Sequence, residues 1–308
     1  MSQRQGRDLL QAVGHTPLIR LNIGALPEGV RLYAKLEGVN PGGSIKDRPV
    51  SRILTRAIAD GKLCGGRRLL DSSSGNAGIA YAMLGAALGV DVTLVIPGNA
   101  SRERLDQIAA HGAQLLLTDP IEGYDFALLE TQRLATEHPD RYWYANQYAN
   151  DNNWLAHYET TGVEILEQMA ALGSAPPDAF VAGIGTGGTV TGVGRRLKSS
   201  HPQTHIAVVI PERFPGIEGL KPLGTAEDIV PEILDESLID QRIPVTLDQG
   251  LQMCRLLATT GLFVGPSSGA YVHAAAEVAR AGRYHTIVTI LNDTGERYMS
   301  TGMWDRTG

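Results

Sequence analysis

Residues 68–118 read RLLDSSSGNAGIAYAMLGAALGVDVTLVIPGNASRERLDQIAAHGAQLLLT, and the alternation within this stretch decides the fold class. RLLD (68–71) is a short apolar run broken by small polar residues, which predicts a buried strand. AGIAYAMLGAALG (77–89) has helical length and composition and closes on Gly89, the residue that tolerates a left-handed helix end. DVTLVI (91–96) is the next strand, stopped by Pro97 and Gly98. SRERLDQIAAHG (101–112) is a helix ended by Gly112, and AQLLLT follows as a strand. These connections are too long for hairpins and match the right-handed crossovers of a parallel sheet.

The same rhythm resumes after PDRYWYANQYANDNNW (139–154). It predicts a long helix over about 154–170, a break at SAPP (174–177) and a buried strand DAFVAG (178–183). The helix TVTGVGRRLKSS, the strand HIAVVI (205–210), a helical segment around LQMCRLLA and the strand TIVTILN (286–292) follow. Residues 211–247, rich in proline, glycine and acidic side chains, are expected to be irregular. Repeats, low-complexity tracts and heptads are absent from the sequence. At 308 residues the chain is long for one core. The expected fold class is α/β, two doubly wound units in tandem with a cleft between them.

Composition narrows the function classes. Hydrophobic residues make up 43% and charged residues 19%, with a formal net charge of −6 and no run of like charges. Nucleic-acid and membrane-surface partners call for a concentrated basic patch, so neither is expected. No apolar run reaches the roughly 20 residues of a membrane span. The opening MSQRQGRDLLQAVG lacks the apolar core of a secretory signal, and the two cysteines, Cys64 and Cys254, make no disulfide framework. A cytoplasmic protein is the expectation. Both thiols read as packing residues, and His201 and His205, four apart with Pro202 between them, read as a loop rather than a ligand pair, so no metal is expected.

Four segments carry chemistry. In Asn40-Pro41-Gly42-Gly43-Ser44-Ile45-Lys46-Asp47-Arg48-Pro49 a turn delivers a lysine to the start of a helix. Of the five lysines (35, 46, 62, 198 and 221), Lys46 alone stands where a helix N-terminus and a neighbouring cation, Arg48, favour the neutral amine that a Schiff-base lysine needs. A plain surface lysine is the competing description. Asp71-Ser72-Ser73-Ser74-Gly75-Asn76-Ala77-Gly78 offers hydroxyls and successive N–H groups at a helix start, suited to a carboxylate or phosphate; a serine cap is the simpler alternative. Gly183-Ile184-Gly185-Thr186-Gly187-Gly188-Thr189 satisfies G-x-G-x-x-G through Gly183, Gly185 and Gly188, with Glu212 available as a ribose-binding acid. That supports an NAD-dependent dehydrogenase, while Thr186 and Thr189 suit a phosphate monoester equally. Gly265-Pro266-Ser267-Ser268-Gly269-Ala270 precedes another helix and could be a plain cap.

Taken in order, VGHTPLIRL, NPGGSIKDRP, SSGNAGIA, NQYANDNNWLAHYETTG, GIGTGGTVTGVG, GLFVGPSSGA and TGERYMSTG resemble the β-family (fold type II) of pyridoxal-phosphate enzymes. Within it they are most similar to the B-type cysteine synthases, the O-acetylserine or O-phosphoserine sulfhydrylases. The resemblance spans almost the whole chain, whereas the dinucleotide reading explains one segment. It implies a tryptophan synthase β-like architecture with pyridoxal 5′-phosphate in the cleft. The smaller, mobile domain (41–150) would carry Lys46 and the carboxylate loop, and the larger (1–40 with 151–308) the phosphate loop. Lys46 matches the Schiff-base lysine, which is also the catalytic base. Asn76 matches the residue on the cofactor's phenolic oxygen, Gly185, Thr186, Gly187, Gly188 and Thr189 the phosphate loop, and Ser267 the residue facing the pyridine nitrogen. Ser73, Ser74, Gly75, Asn76, Ala77, Gln147 and Gly219 match substrate-binding positions.

The implied reaction is β-replacement on an activated L-serine, through α-aminoacrylate, with sulfide or a sulfur carrier to give L-cysteine. An amine nucleophile, as in siderophore-precursor synthases of the N-(2-amino-2-carboxyethyl)-glutamate type, is the nearest competitor. A cystathionine β-synthase reading is weakened because the length leaves no room for a regulatory C-terminal module. A homodimer is implied; a sulfur-carrier protein or serine acetyltransferase is a candidate partner, and the sequence does not decide whether one docks. Three positions depart from the family pattern: Ala77 replaces a common threonine, Asn292 a common proline, and PERFPGIEGLKP (211–222) differs from the A-type enzymes. Arg213 and Lys221 in that loop are candidates to recognise the phosphate of O-phosphoserine, or else solvated loop charges.

Overall fold

The computed structural model describes residues 3–305 other than Ala25, Ser74, Asn99, Pro120, Ala226 and Glu227, and for residues 3–5 and 123–125 the backbone alone. In chain order the elements are α1 (Gln3–Gln11), β1 (Leu18–Arg20), β2 (Arg31–Leu36), α2 (Asp47–Ala59), β3 (Arg68–Ser72), α3 (Asn76–Leu88) and β4 (Val92–Pro97). Then come α4 (Arg102–Ala110), β5 (Gln114–Thr118), α5 (Gly123–Glu137), β6 (Tyr142–Tyr144), α6 (Asn152–Ala156) and α7 (Gly162–Ala171). The last are β7 (Ala179–Gly183), α8 (Gly188–Ser200), β8 (His205–Pro211), β9 (Gln241–Val245), α9 (Leu247–Thr259), α10 (Pro266–Arg280) and β10 (Thr286–Leu291). They form two compact units, Met1–Gly14 with Asn40–Asn153 and His15–Val39 with Trp154–Gly308.

The first unit is built on a four-stranded, wholly parallel sheet in the order β5-β4-β3-β6. Every residue of β4 is buried, as expected of a strand covered on both faces. Helix α3 is apolar all round, buried from Ala77 to Gly85, and packs against α1, α2 and α4. Its end is the left-handed Gly89, at φ 70°. Ile53, Leu54, Leu69, Ile79, Leu84 and Leu94 share this core. Truncating one of them to alanine costs about 2–5 kcal/mol. The strand order reverses at β3, with β4 and β5 on one side and β6 on the other.

The second unit carries a six-stranded sheet, β1-β2-β10-β7-β8-β9, parallel except for β1, which runs antiparallel to β2. The last strand made, β10, lies between β2 and β7, so the order reverses there. Glycines let the covering helices approach closely. A Cβ on Gly269 of α10 would fall 2.2 Å from the Gly250 carbonyl oxygen of α9.

Three elements differ from the sequence expectations. The stretch read as irregular contains β9, an edge strand, the position in a sheet where a proline such as Pro244 is tolerated. The helix expected over 154–170 is interrupted by a π segment, His157–Thr161, between α6 and α7. There Arg195 and Arg196 of α8 stack on Trp154 and Tyr158, at 4.4 and 3.8 Å from the ring centroids. The three-residue strand β6, YWY, was not expected, since its aromatic residues favour a strand but the run is too short to show alternation. Among the described residues, no helix is long and apolar enough to cross a membrane.

Candidate active site

In open α/β sheets, ligands gather beyond the carboxyl ends of the strands where strand order reverses. Both units place their sequence-predicted residues there. In the first, the loops after β3 and β6 meet: Gln147 Nε2 donates to the Ser72 carbonyl at 3.0 Å, and Asn153 Nδ2 holds the Gln147 carbonyl at 2.7 Å. Ser73 Oγ accepts the Gly78 N–H at 3.0 Å, so it satisfies one of the free N–H groups of α3 from outside the helix, whose N-cap is Gly75. The Ser73 hydroxyl proton remains available to a carboxylate. Gly75 opens α3 with no atom within 4 Å of where a Cβ would stand. Asn76 is half-buried and Ala77 buried in the first turn, while Ser74 lies outside the described residues.

Asp71, at the end of β3, drew no functional role from the sequence. It is fully buried, receives the Ser72 N–H at 2.8 Å, and meets the Tyr81 hydroxyl and the Gln147 backbone N–H. Burial outweighs those bonds and pushes its carboxyl up to about 7.

Lys46 is the N-cap of α2 and half-buried. The turn before it is closed by Gly43 N–H to the Asn40 carbonyl at 2.7 Å and by the Gly42 N–H on the Asp47 carboxylate. Ser44 Oγ accepts the Lys46 N–H at 3.2 Å, and Arg48 is buried in the next turn. The other lysines have different employment or position. Lys35 is buried against Glu164 (2.6 Å) and the Thr16 hydroxyl (2.7 Å), Lys198 pairs with Asp240, and Lys62 lies past the end of α2.

In the second unit the loop after β7 enters α8 through Gly187, at φ 83°. Gly188, Thr189 and Val190 open the helix, where N–H groups have no intrahelical acceptor and the helix dipole favours an anion. Thr186 is buried and receives the Gly188 N–H at a long 3.5 Å, and Thr189 Oγ1 lies 3.4 Å from Nε2 of the buried His157. The Lys221 N–H donates to the Ile184 carbonyl at 2.7 Å, which brings the Gly219 stretch beside this loop. Ser267, in the first turn of α10, is buried and receives Asn292 Nδ2 at 3.1 Å, so it is no cap of its own helix. Glu212, the acid a dinucleotide would require, instead accepts the Leu247 N–H at 2.7 Å at the start of α9.

A family model described as pyridoxal-phosphate dependent enzyme matches residues 9–293. The chain belongs to that family. It is 44% identical to a protein named cysteine synthase from Aquifex aeolicus, over 98% of this chain and 93% of that one. A solved O-ureido-L-serine synthase superposes with a TM-score of 0.88 at 35% identity, covering 97% of this chain and 95% of that one. O-acetyl serine sulfhydrylase isoform 3 from Entamoeba histolytica superposes at 0.87 and 32% identity, covering 97% and 92%.

The family's cofactor is pyridoxal 5′-phosphate, and the residues present fit it. A dianionic phosphate ester needs several donors and a positive field, which the Thr186–Thr189 loop at the α8 N-terminus supplies. A pyridine nitrogen needs one hydroxyl, and an aldehyde needs an amine at a helix start. Ser267 and Lys46 are of those types. No group of three or more potential metal ligands occurs among the described residues. Cys254 is buried, its thiol pushed up to about 12 by that burial, which makes it an inert packing residue.

Arg213 is engaged within its own loop. It donates to both oxygens of Asp228, at 2.9 and 3.0 Å, and to the Thr225 hydroxyl. Two backbone N–H groups and this guanidinium hold the Asp228 carboxyl down to about 2.

Proposed function

We propose that this protein is a pyridoxal-phosphate-dependent cysteine synthase, replacing the β-substituent of O-acetylserine or O-phosphoserine with sulfur from sulfide or a carrier thiocarboxylate. The observation that carries the reading is the coincidence of a lysine at one helix N-terminus with an anion cradle at another, in a chain 44% identical to a cysteine synthase. The bound cofactor supplies an electron sink for the substrate's Cα–H bond.

The chain's own residues do the rest. Gly185 to Thr189 hold the phosphate, Asn76 the phenolic oxygen, and Ser267 the ring nitrogen. Lys46 Nζ would hold the cofactor, and as a free amine it would take the Cα proton and later return it. Ser73, Ser74, Gly75, Asn76, Ala77 and Gln147 bind the α-carboxylate, using the Ser73 hydroxyl proton and the amide of Gln147. Closure of this loop excludes water while the β-carbon is electrophilic. Gly219 borders the leaving group. Homodimeric assembly, a cytoplasmic location, a mobile smaller domain and docking of a sulfur carrier or serine acetyltransferase belong to the same proposal and rest on the resemblance.

The test is an absorption spectrum of the purified protein before and after each donor, then with sulfide. A visible band that shifts with one donor and returns on adding sulfide, with cysteine released, supports the reading. Return only with an amine identifies a siderophore-precursor synthase. A colourless protein that cannot be reconstituted overturns the Lys46 assignment.

A further inference from the structure

Ser267 belongs to a chain of buried hydrogen bonds, and that chain has a direction. It begins at the carboxyl end of β7, where the Gly183 N–H points at the Tyr271 hydroxyl oxygen. Tyr271 is buried on α10, and burial pushes its hydroxyl up to about 12, so it keeps its proton. Both the Gly183 N–H and the Asn292 amide donate to its oxygen. An amide nitrogen carries two protons, so Asn292 Nδ2 can serve Tyr271 and Ser267 together, and it lies 3.1 Å from Ser267 Oγ. The Asn292 backbone is pinned as well, its N–H donating to Ser268 Oγ at 2.8 Å.

We infer that Asn292 is a positioning residue that fixes which way the Ser267 hydroxyl points and thereby holds the cofactor's ring nitrogen unprotonated. The inference rests on the assignment of Ser267 to that nitrogen. An N–H donor on one side of Oγ leaves the serine proton to donate on the other, and a ring nitrogen that accepts a hydrogen bond carries no proton of its own. An acceptor in place of Nδ2 would reverse the chain: the serine proton would turn inward, and Oγ would present lone pairs that favour a pyridinium. The next residue, Asp293, is a buried carboxylate. It is engaged by the Tyr298 hydroxyl at 2.6 Å.

The experiment uses holoenzyme reconstituted with pyridoxal phosphate labelled with ¹⁵N in the ring, read by solid-state nitrogen NMR. Borohydride reduction and peptide mapping establish in parallel that the label sits on Lys46. The wild type is expected to give the signal of a hydrogen-bonded neutral pyridine. Asn292→Asp should move it more than half-way to the position of the protonated cofactor, and Asn292→Leu should leave it neutral. Tyr271→Phe frees the amide to turn over and should move the signal in the same direction as Asn292→Asp, by less. This second variant decides the matter if Asn292→Asp does not fold. Label on Lys46 with the wild-type signal unmoved in Asn292→Asp or Tyr271→Phe overturns the inference alone. Failure of the wild type to bind the label at Lys46 overturns the cofactor assignment beneath it.

Discussion

Replacing Asp71 with asparagine should stabilise the protein at pH 8 relative to pH 5. The carboxyl titrates near 3.8 in the unfolded chain and at about 7 when folded, because it is buried. Between those values the native state holds a proton that the unfolded state has released, so stability falls as pH rises through the window and levels off above it. A gap of three units corresponds to about 4 kcal/mol, of which roughly 3 kcal/mol falls between pH 5 and pH 8. The amide introduced by Asp71→Asn can still accept from the Ser72 N–H and donate to Tyr81, while the Gln147 N–H loses an acceptor. That loss is independent of pH. The assay is the melting temperature of variant minus wild type at pH 5, 6, 7 and 8, a difference in which the other titrating groups cancel. At roughly 2–4 °C per kcal/mol, the variant should gain about 6–12 °C relative to wild type across the series. A difference flat with pH would refute the raised carboxyl.

Three further outcomes are expected. Gly187→Ala forces a side chain onto a left-handed residue with its Cβ 2.9 Å from that of Leu234; at about 1–2 kcal/mol of strain in the phosphate cradle, fluorescence titration should show cofactor affinity about tenfold weaker. Lys35→Met strands Glu164 beside Thr16 and should cost about 3–5 kcal/mol in urea denaturation, with Glu164→Gln in the same chain recovering part of it. Lys221→Ala should raise the KM for O-phosphoserine by about tenfold or more, the loss of one charge-assisted hydrogen bond, and leave that for O-acetylserine unchanged; an equal effect on both would remove Lys221 from donor recognition.

Elements with a strong local signature were legible in the sequence. AGIAYAMLGAALG forms α3 and closes on Gly89, and the wholly buried β4 follows from VTLVIP. The four chemical segments fall at helix starts, and those that open α3 and α8 lie directly behind strands, because small polar residues between an apolar run and a helix have few other uses. What escaped depended on distant partners. QRIPV becomes β9 only because β8 offers it an edge, and the π segment arises from α8 lying against it. Asp71 looked like any strand-ending polar residue until burial removed its water. Asn292 was visible as a departure from the family pattern, but its partner lies 25 residues away and meets it only through the order of strands.

That order also bears on synthesis. The first unit is complete once residue 153 has been made, whereas the sheet of the second lacks its central strand until Thr286–Leu291 emerge. Until then β2 and β7 have no ladder to share, and Asn292 has not yet been made. On the proposed assignment, a growing chain would hold Lys46 in a folded unit before it could bind the phosphate or align the ring nitrogen. A chain halted before β10 would leave that unit together with two strands, β2 and β7, each with an unpaired edge.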